Sequence, residues 1–285
     1  MTDAAPPPSA GEPAPAVLLR EHHGAVLLAT LNRPTKGNAL SRPLIDALDR
    51  FAADVAADHA TGGDRRIRAV VLTGAGGRAF SAGADITELD GIGGLDARTQ
   101  MRHGQAVFDR IEALPVPVVA AIDGVALGGG LELAMAADIR LASPGSRLGQ
   151  PEITLANLPG WGGTQRLPRL VGSGLATEMI LLGDPVDAER AAAIGLVNRV
   201  VADPVTAALE LAARLAGNSA TAIRGAKEAI HAGLTHGIET GLVVEADAVA
   251  ACCGTAEQRA AVQAFLNRRR PAPAAASTDE EETPR

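Results

Sequence analysis

Along the chain, short unbroken apolar runs alternate with stretches in which apolar residues recur every three or four positions. The first pattern predicts strands buried on both faces, the second helices with one buried stripe. Residues 16–20 and 25–31, separated by His22-His23-Gly24, predict a hairpin or two edge strands. Ser41 as N-cap, Pro43 in the first turn, and Leu44, Leu48, Phe51 and Val55 at helical spacing predict a helix. Buried strands are predicted at 68–73 (RAVVLT), 117–122 (PVVAAI), 138–142 (DIRLA) and 196–201 (LVNRVV). Strands alternating with helices imply an α/β fold with parallel strands under helices. The last third is helical. Asp203-Pro204 opens a helix that Gly217 ends, Asn218 or Ser219 caps another, and Thr255-Ala256-Glu257-Gln258 is a capping box before a helix with Val262, Phe265 and Leu266 inward. That helix ends at Arg268-Arg269-Arg270, where cations suit a helix C-terminus.

Composition sets the boundaries. Residues 2–15 and 271–285 are rich in Pro and Ala and carry no periodicity, which predicts disordered tails. The expected organisation is a tail over 1–15, an α/β core over 16–195, a helical oligomerisation segment over 196–270 and an acidic tail over 271–285. With 26 Lys+Arg against 33 Asp+Glu, a net charge of −7 and 2% aromatics, the chain lacks the basic face and stacking rings of a nucleic-acid binder. The core must therefore come from Ala, Val, Leu and Ile, with 32 Gly allowing close backbone approach. Cys252 and Cys253 are adjacent, unsuited to a disulfide with each other or to a zinc site, and read as reduced residues of a cytoplasmic protein. Neither a membrane-spanning apolar run nor a secretory leader is read.

The sequence contains no phosphate-binding GxxxxGK[ST], no GxSxG, no HExxH and no EF-hand loop. Gly74-Ala75-Gly76-Gly77-Arg78-Ala79 fits a dinucleotide-binding pattern, but no amphipathic helix follows it. Two Gly-rich segments carry more weight, AFSAGADI (79–86) and DGVALGGGLELAMAADIRLA (123–142), the second leading into a helix expected from about Leu131. Glycines there free backbone N–H groups to meet a ligand, and two amides from separate loops make an oxyanion hole. Glu132 lies beside the second segment, and Glu152 follows in LGQPEITLANLPGWGGTQRLP (148–168). Two carboxylates beside an oxyanion hole, with no nucleophile or metal, suggest acid–base chemistry next to an enolate.

With LNRPTKGNAL (31–40), VVLTGAGGRAFSAGADI (70–86), PVVAAIDGVALGGGLELAMAADIRLAS (117–143), LGQPEITLANLPGWGGTQRL (148–167) and AAAIGLVNRVV (191–201) in this order, the chain resembles the enoyl-CoA hydratase/isomerase (crotonase) superfamily. The resemblance implies a crotonase-like ββα spiral core with an all-helical C-terminal segment. It implies that the N–H groups of Ala84 and Gly129 hold the thioester oxygen, and that Glu132 and Glu152 hold a water and add it across a 2-trans-enoyl-CoA. It places CoA along Thr35, Lys36 and Ala39, then Ala82, Asp85 and Ile86, and the acyl group among Gly128, Pro151, Asn157, Pro159 and Gly160. Trp161 either packs or narrows the acyl pocket. Asp85 reads as a structural cap, and Asp138, Gln165 and Arg166 as structural. Thr35 and Thr87 stand where some members carry Lys, which leaves the grip on the CoA phosphates to Lys36 or a neighbouring subunit. No separate cofactor or metal is implied, CoA being part of the substrate, and the expected assembly is a homotrimer or dimer of trimers. Superfamily alternatives are a Δ3-Δ2 isomerase or another acyl-CoA lyase or hydrolase; outside that chemistry stand an idle CoA-binding subunit and an NAD-dependent oxidoreductase.

Overall fold

The computed structural model describes residues 15–61 and 66–268. The tails expected over 1–15 and 271–285 fall outside it, except for Pro15. The chain divides into two compact units, residues 1–227 and 228–285.

The first unit opens with β1 (Leu18–His23) and β2 (Val26–Leu31), an antiparallel hairpin. His22 and His23 belong to β1, and the turn falls at Gly24, whose φ of 62° suits glycine. Helix α1 (Arg42–Thr61) starts where expected: the Ser41 carbonyl accepts from the Leu44 and Ile45 N–H groups, and Leu44, Leu48, Phe51 and Val55 are all buried. Then the chain repeats one unit three times: a strand, a second strand in another sheet, a helix. The first is β3 (Ala69–Gly74), β4 (Ala79–Ser81) and α2 (Gly94–Glu112). Next come β5 (Val118–Ile122), β6 (Val125–Leu127) and α3 (Gly129–Met135). The third is β7 (Ile139–Ala142), β8 (Arg147–Gly149) and α4 (Gly163–Val171). The chain continues through α5 (Ser173–Leu182), β9 (Val186–Asp187), α6 (Ala188–Ala193), β10 (Arg199–Val200), α7 (Pro204–Ala216) and α8 (Ala220–His236).

Two sheets result, ordered β1-β2-β3-β5-β7-β10 and β4-β6-β8-β9. Every pairing is parallel except β1 with β2 and β8 with β9. Alternation along the strands of the larger sheet gives two cores. Val70, Leu72, Val118, Ala120 and Ile122 join the main cluster, with Phe80, Ala126 and Leu148 of the smaller sheet. Ala69, Val71, Val119 and Ala121 face the other way and pack against Ala208 and Ala212 of α7. Asp203 caps α7 by accepting from the Val205 and Thr206 N–H groups. Because β10 joins the larger sheet and α7 covers it, the first compact unit runs past the 195/196 division read from the sequence.

Two expectations need correction, and one reading stands. Helix α3 begins at Gly129, two residues before Leu131, with the glycines forming its first turn. Gly74–Ala79, which no helix was expected to follow, turns directly from β3 into β4. In the second unit, Thr255 caps α10 (Ala256–Arg268) through Gln258 N–H, but Val262, Phe265 and Leu266 are exposed in the single chain. There α8 and α9 (Ile238–Cys252) approach so closely that a Cβ on Gly241 would lie 2.7 Å from Gly233 Cα. Among the described residues no helix is long and apolar enough to cross a membrane.

Candidate active site

The repeats bring both Gly-rich segments to one place. After β4, residues 82–85 run beside 37–40: Ala82 N–H donates to Gly37 O, Leu40 N–H to Gly83 O, and Asp85 N–H to Leu40 O. Buried Asn38 ties this pairing down by donating to Ala75 O and Ala79 O while accepting from Arg33 N–H. After β6, Gly128 adopts φ 51° and ψ −126°, which starts α3 with the Gly129 N–H uncommitted. A Cβ built on Gly129 would lie 3.4 Å from Ala84 N, so the two amides are neighbours. Neither amide N–H has a hydrogen-bond partner among the described residues.

Both open onto a cavity of about 530 Å³ that is also lined by Glu132 and Glu152. Glu132 sits in the first turn of α3, only 1% exposed, and its Oε1 accepts from the N–H groups of Trp161 (2.8 Å) and Gly163 (2.6 Å). Those donors are fixed in turn: Arg166 gives Nη1 to Trp161 O and clamps Glu112 and Asp109 of α2. Burial pushes the Glu132 carboxyl up to about 7 from an ordinary 4.5, the field of Glu152 adds to the rise, and the Gly163 and Trp161 N–H groups oppose it. Glu152 lies on the single-turn helix Pro151–Leu155 and is half-buried, which raises its pKa as well. Fully buried Gln150, its amide oriented by hydrogen-bonding logic, donates to the two Glu152 oxygens at 3.0 and 3.1 Å.

A raised Glu132 pKa has a consequence for stability. Between pH 4.5 and about 7 the folded state holds a proton that the unfolded chain has released, so rising pH destabilises the fold through that window. Glu132→Gln removes this dependence. Its stability relative to the native chain should climb from pH 4.5 to about 7 and level off above, as read by urea denaturation. Parallel stability curves for the two proteins would refute the assignment.

Of the residues singled out in the sequence, Ala82, Ala84, Ile86, Gly128, Gly129, Glu132, Pro151, Glu152, Asn157 and Gly160 line this one cavity. Thr35, Lys36 and Ala39 do not; they lie on or beside the turn Pro34–Lys36, next to the 37–40 and 82–85 pairing. Asp85 is also outside the lining, its carboxylate committed to Arg33 at 2.8 Å and to the Thr87 N–H and hydroxyl, so it caps and braces the loop as a structural residue. Pro159 is buried behind the cavity against Gly163. Asp138 accepts from Val118 N–H and pairs with Lys227, a structural role as read. Gly83 and Trp161 line it as well, and Leu89, Asp90, Met101, Leu155 and Leu158, which carried no signal in the sequence, complete the lining. Gln150 and Asn38 were also missed, though a polar residue beside a catalytic-type Glu and an Asn in a Gly-rich turn are both legible cues.

Known proteins match this chain in sequence and in fold. The model of the family described as Enoyl-CoA hydratase/isomerase matches residues 21–273. The chain is similar to a short-chain-enoyl-CoA hydratase of Clostridium acetobutylicum, with 40% identity covering 89% of this chain and 95% of that one. It is also similar to a crotonyl-CoA hydratase of Syntrophomonas wolfei, with 39% identity over 89% and 95%. Among solved structures, an enoyl-CoA hydratase from Bacillus anthracis superposes with a TM-score of 0.82 at 38% identity, covering 90% of this chain and 98% of that one. By sequence and by fold, the chain belongs to the enoyl-CoA hydratase/isomerase family.

Proposed function

We propose that this protein is an enoyl-CoA hydratase, adding water across the 2,3 double bond of a 2-trans-enoyl-CoA. The observation that carries the reading is the convergence, on one cavity, of two carboxyls with raised pKa and two N–H groups without a partner among the described residues. The Ala84 and Gly129 amides donate to the thioester oxygen and hold the negative charge it gains as the enolate forms. Glu132 and Glu152 hold a water between them. Its oxygen bonds to C3 while one proton of the water passes to a carboxylate, and a carboxyl proton goes to C2, so one water is consumed and the pair is regenerated. Two carboxyls around one water share their protons, so their titration belongs to the pair.

CoA is part of the substrate in this reading, and the chemistry needs no further cofactor. The pantetheine and nucleotide lie along Thr35, Lys36 and Ala39 beside Ala82–Ile86. A homotrimer or dimer of trimers, located in the cytoplasm, belongs to the same proposal; the exposed Ile230, Leu234, Ile238, Leu242 and Phe265 of the helical segment support an assembly of copies. The test is direct. Crotonyl-CoA should lose its conjugated-thioester ultraviolet absorbance on addition of the protein. Absence of hydration with crotonyl-CoA and with longer, branched and 3-enoyl thioesters would overturn the reading, and conversion of a 3-enoyl to a 2-enoyl thioester without hydration would replace it with the isomerase.

A further inference from the structure

Trp161 stands between two cavities. The edge of its six-membered ring faces Gly129, where a Cβ would lie 2.5 Å from Cζ3, and its pyrrole edge faces Gly104 of α2, where a Cβ would lie 2.3 Å from Nε1. A second cavity of about 620 Å³ adjoins the first, and Trp161 and Asp90 are the residues that line both. This second space touches neither glutamate and neither free amide; Leu40, Ile45 and Ile92 give it an apolar side, and much of the remaining wall is polar or charged. The indole is 3% exposed, rests edge-on against Phe108 with ring centroids 5.7 Å apart, and leaves its Nε1–H without a partner among the described residues. A buried donor with no acceptor costs stability, so what the ring supplies here is bulk and not a hydrogen bond.

We infer that Trp161 sets the acyl-length limit of the site, restricting it to short-chain 2-enoyl thioesters. This rests on the hydratase reading. With the indole in place, an acyl group extending from the thioester held at Ala84 and Gly129 ends against the ring. Without it the two cavities join and a longer chain runs on toward Leu40, Ile45 and Ile92. The backbone N–H that Trp161 gives to Glu132 is untouched by a side-chain change.

The experiment compares kcat/KM for crotonyl-, hexenoyl-, octenoyl- and decenoyl-CoA in the native protein and in Trp161→Phe, Trp161→Leu and Trp161→Ala. The native protein should lose efficiency steeply with length. In the Leu and Ala variants the octenoyl-to-crotonyl ratio should rise roughly tenfold or more, the low end of what a methylene's fit is worth because half the new wall is polar. In Trp161→Phe the ratio should stay near the native one. A ratio is independent of the fraction folded, so losses in stability do not blur it. A native protein that uses decenoyl-CoA as readily as crotonyl-CoA overturns the inference, as does an unchanged ratio in both truncated variants. If no thioester is hydrated by any of these proteins, the hydratase reading fails; the ratio of dissociation constants for butyryl- and octanoyl-CoA, by calorimetry on the same proteins, then decides the wall by the same criterion.

Discussion

Glu152→Gln should lower turnover of crotonyl-CoA by about 10²–10⁴-fold, the range over which a positioned acid–base group contributes. The substitution changes little else. Gln has the same length, its carbonyl can still accept from the Gln150 amide, and the cavity keeps its volume. What disappears is a carboxyl that burial raises above its ordinary pKa and that can give and take a proton. Affinity for a saturated butyryl-CoA, measured by calorimetry, should therefore be retained while the absorbance assay falls nearly silent. Native-like turnover in this variant would remove Glu152 from the chemistry and leave Glu132 as the acting acid and base.

Gly129→Ala tests the amides. An added Cβ would meet Trp161 at 2.5 and 2.6 Å, and the ring has little freedom to retreat because Phe108 and Gly104 hold its other edges. The first turn of α3 must shift instead, carrying the Gly129 N–H away from its Ala84 neighbour. Loss of one such donor costs about 10²–10³ in turnover, and the overpacking about 1–3 kcal/mol in stability. Gly145→Ala is the control: nothing lies within 4 Å of its Cβ, and both activity and melting temperature should stay put. Rates from steady-state kinetics and stabilities from urea denaturation separate the two effects. A Gly129→Ala protein with full turnover would show that this amide holds no developing charge.

The sequence made legible whatever depends on a residue's own neighbourhood. β3 and β5 are buried on both faces and so appear as apolar runs, and α1 carries a stripe that ends fully buried. The smaller sheet escaped: β4, β6 and β8 have three residues each, too short for a period of two to register. Helix α3 starts earlier than propensity suggests because Gly129 and Gly130 are poor helix formers held helical by tertiary packing; a Cβ on Gly130 would run into Ser81. In α10 the apolar stripe was legible but not its partner, so residues expected inside are exposed on the single chain. The two glutamates and the two amides were found through motifs. Of the groups that hold them, Gln150 lies two residues from Glu152 and was a legible cue, whereas Arg166, on the Trp161 carbonyl, is anchored by Glu112 and Asp109 of α2 across a contact that no local pattern encodes.

The chain has one Trp and no Tyr. That lone indole is buried in the wall of the reaction cavity, against the amide expected to grip the thioester. Its fluorescence is therefore a single-site signal, free of any second emitter and needing no label. Occupancy of the cavity, and any change in its dryness during turnover, can be followed in the unmodified protein by light.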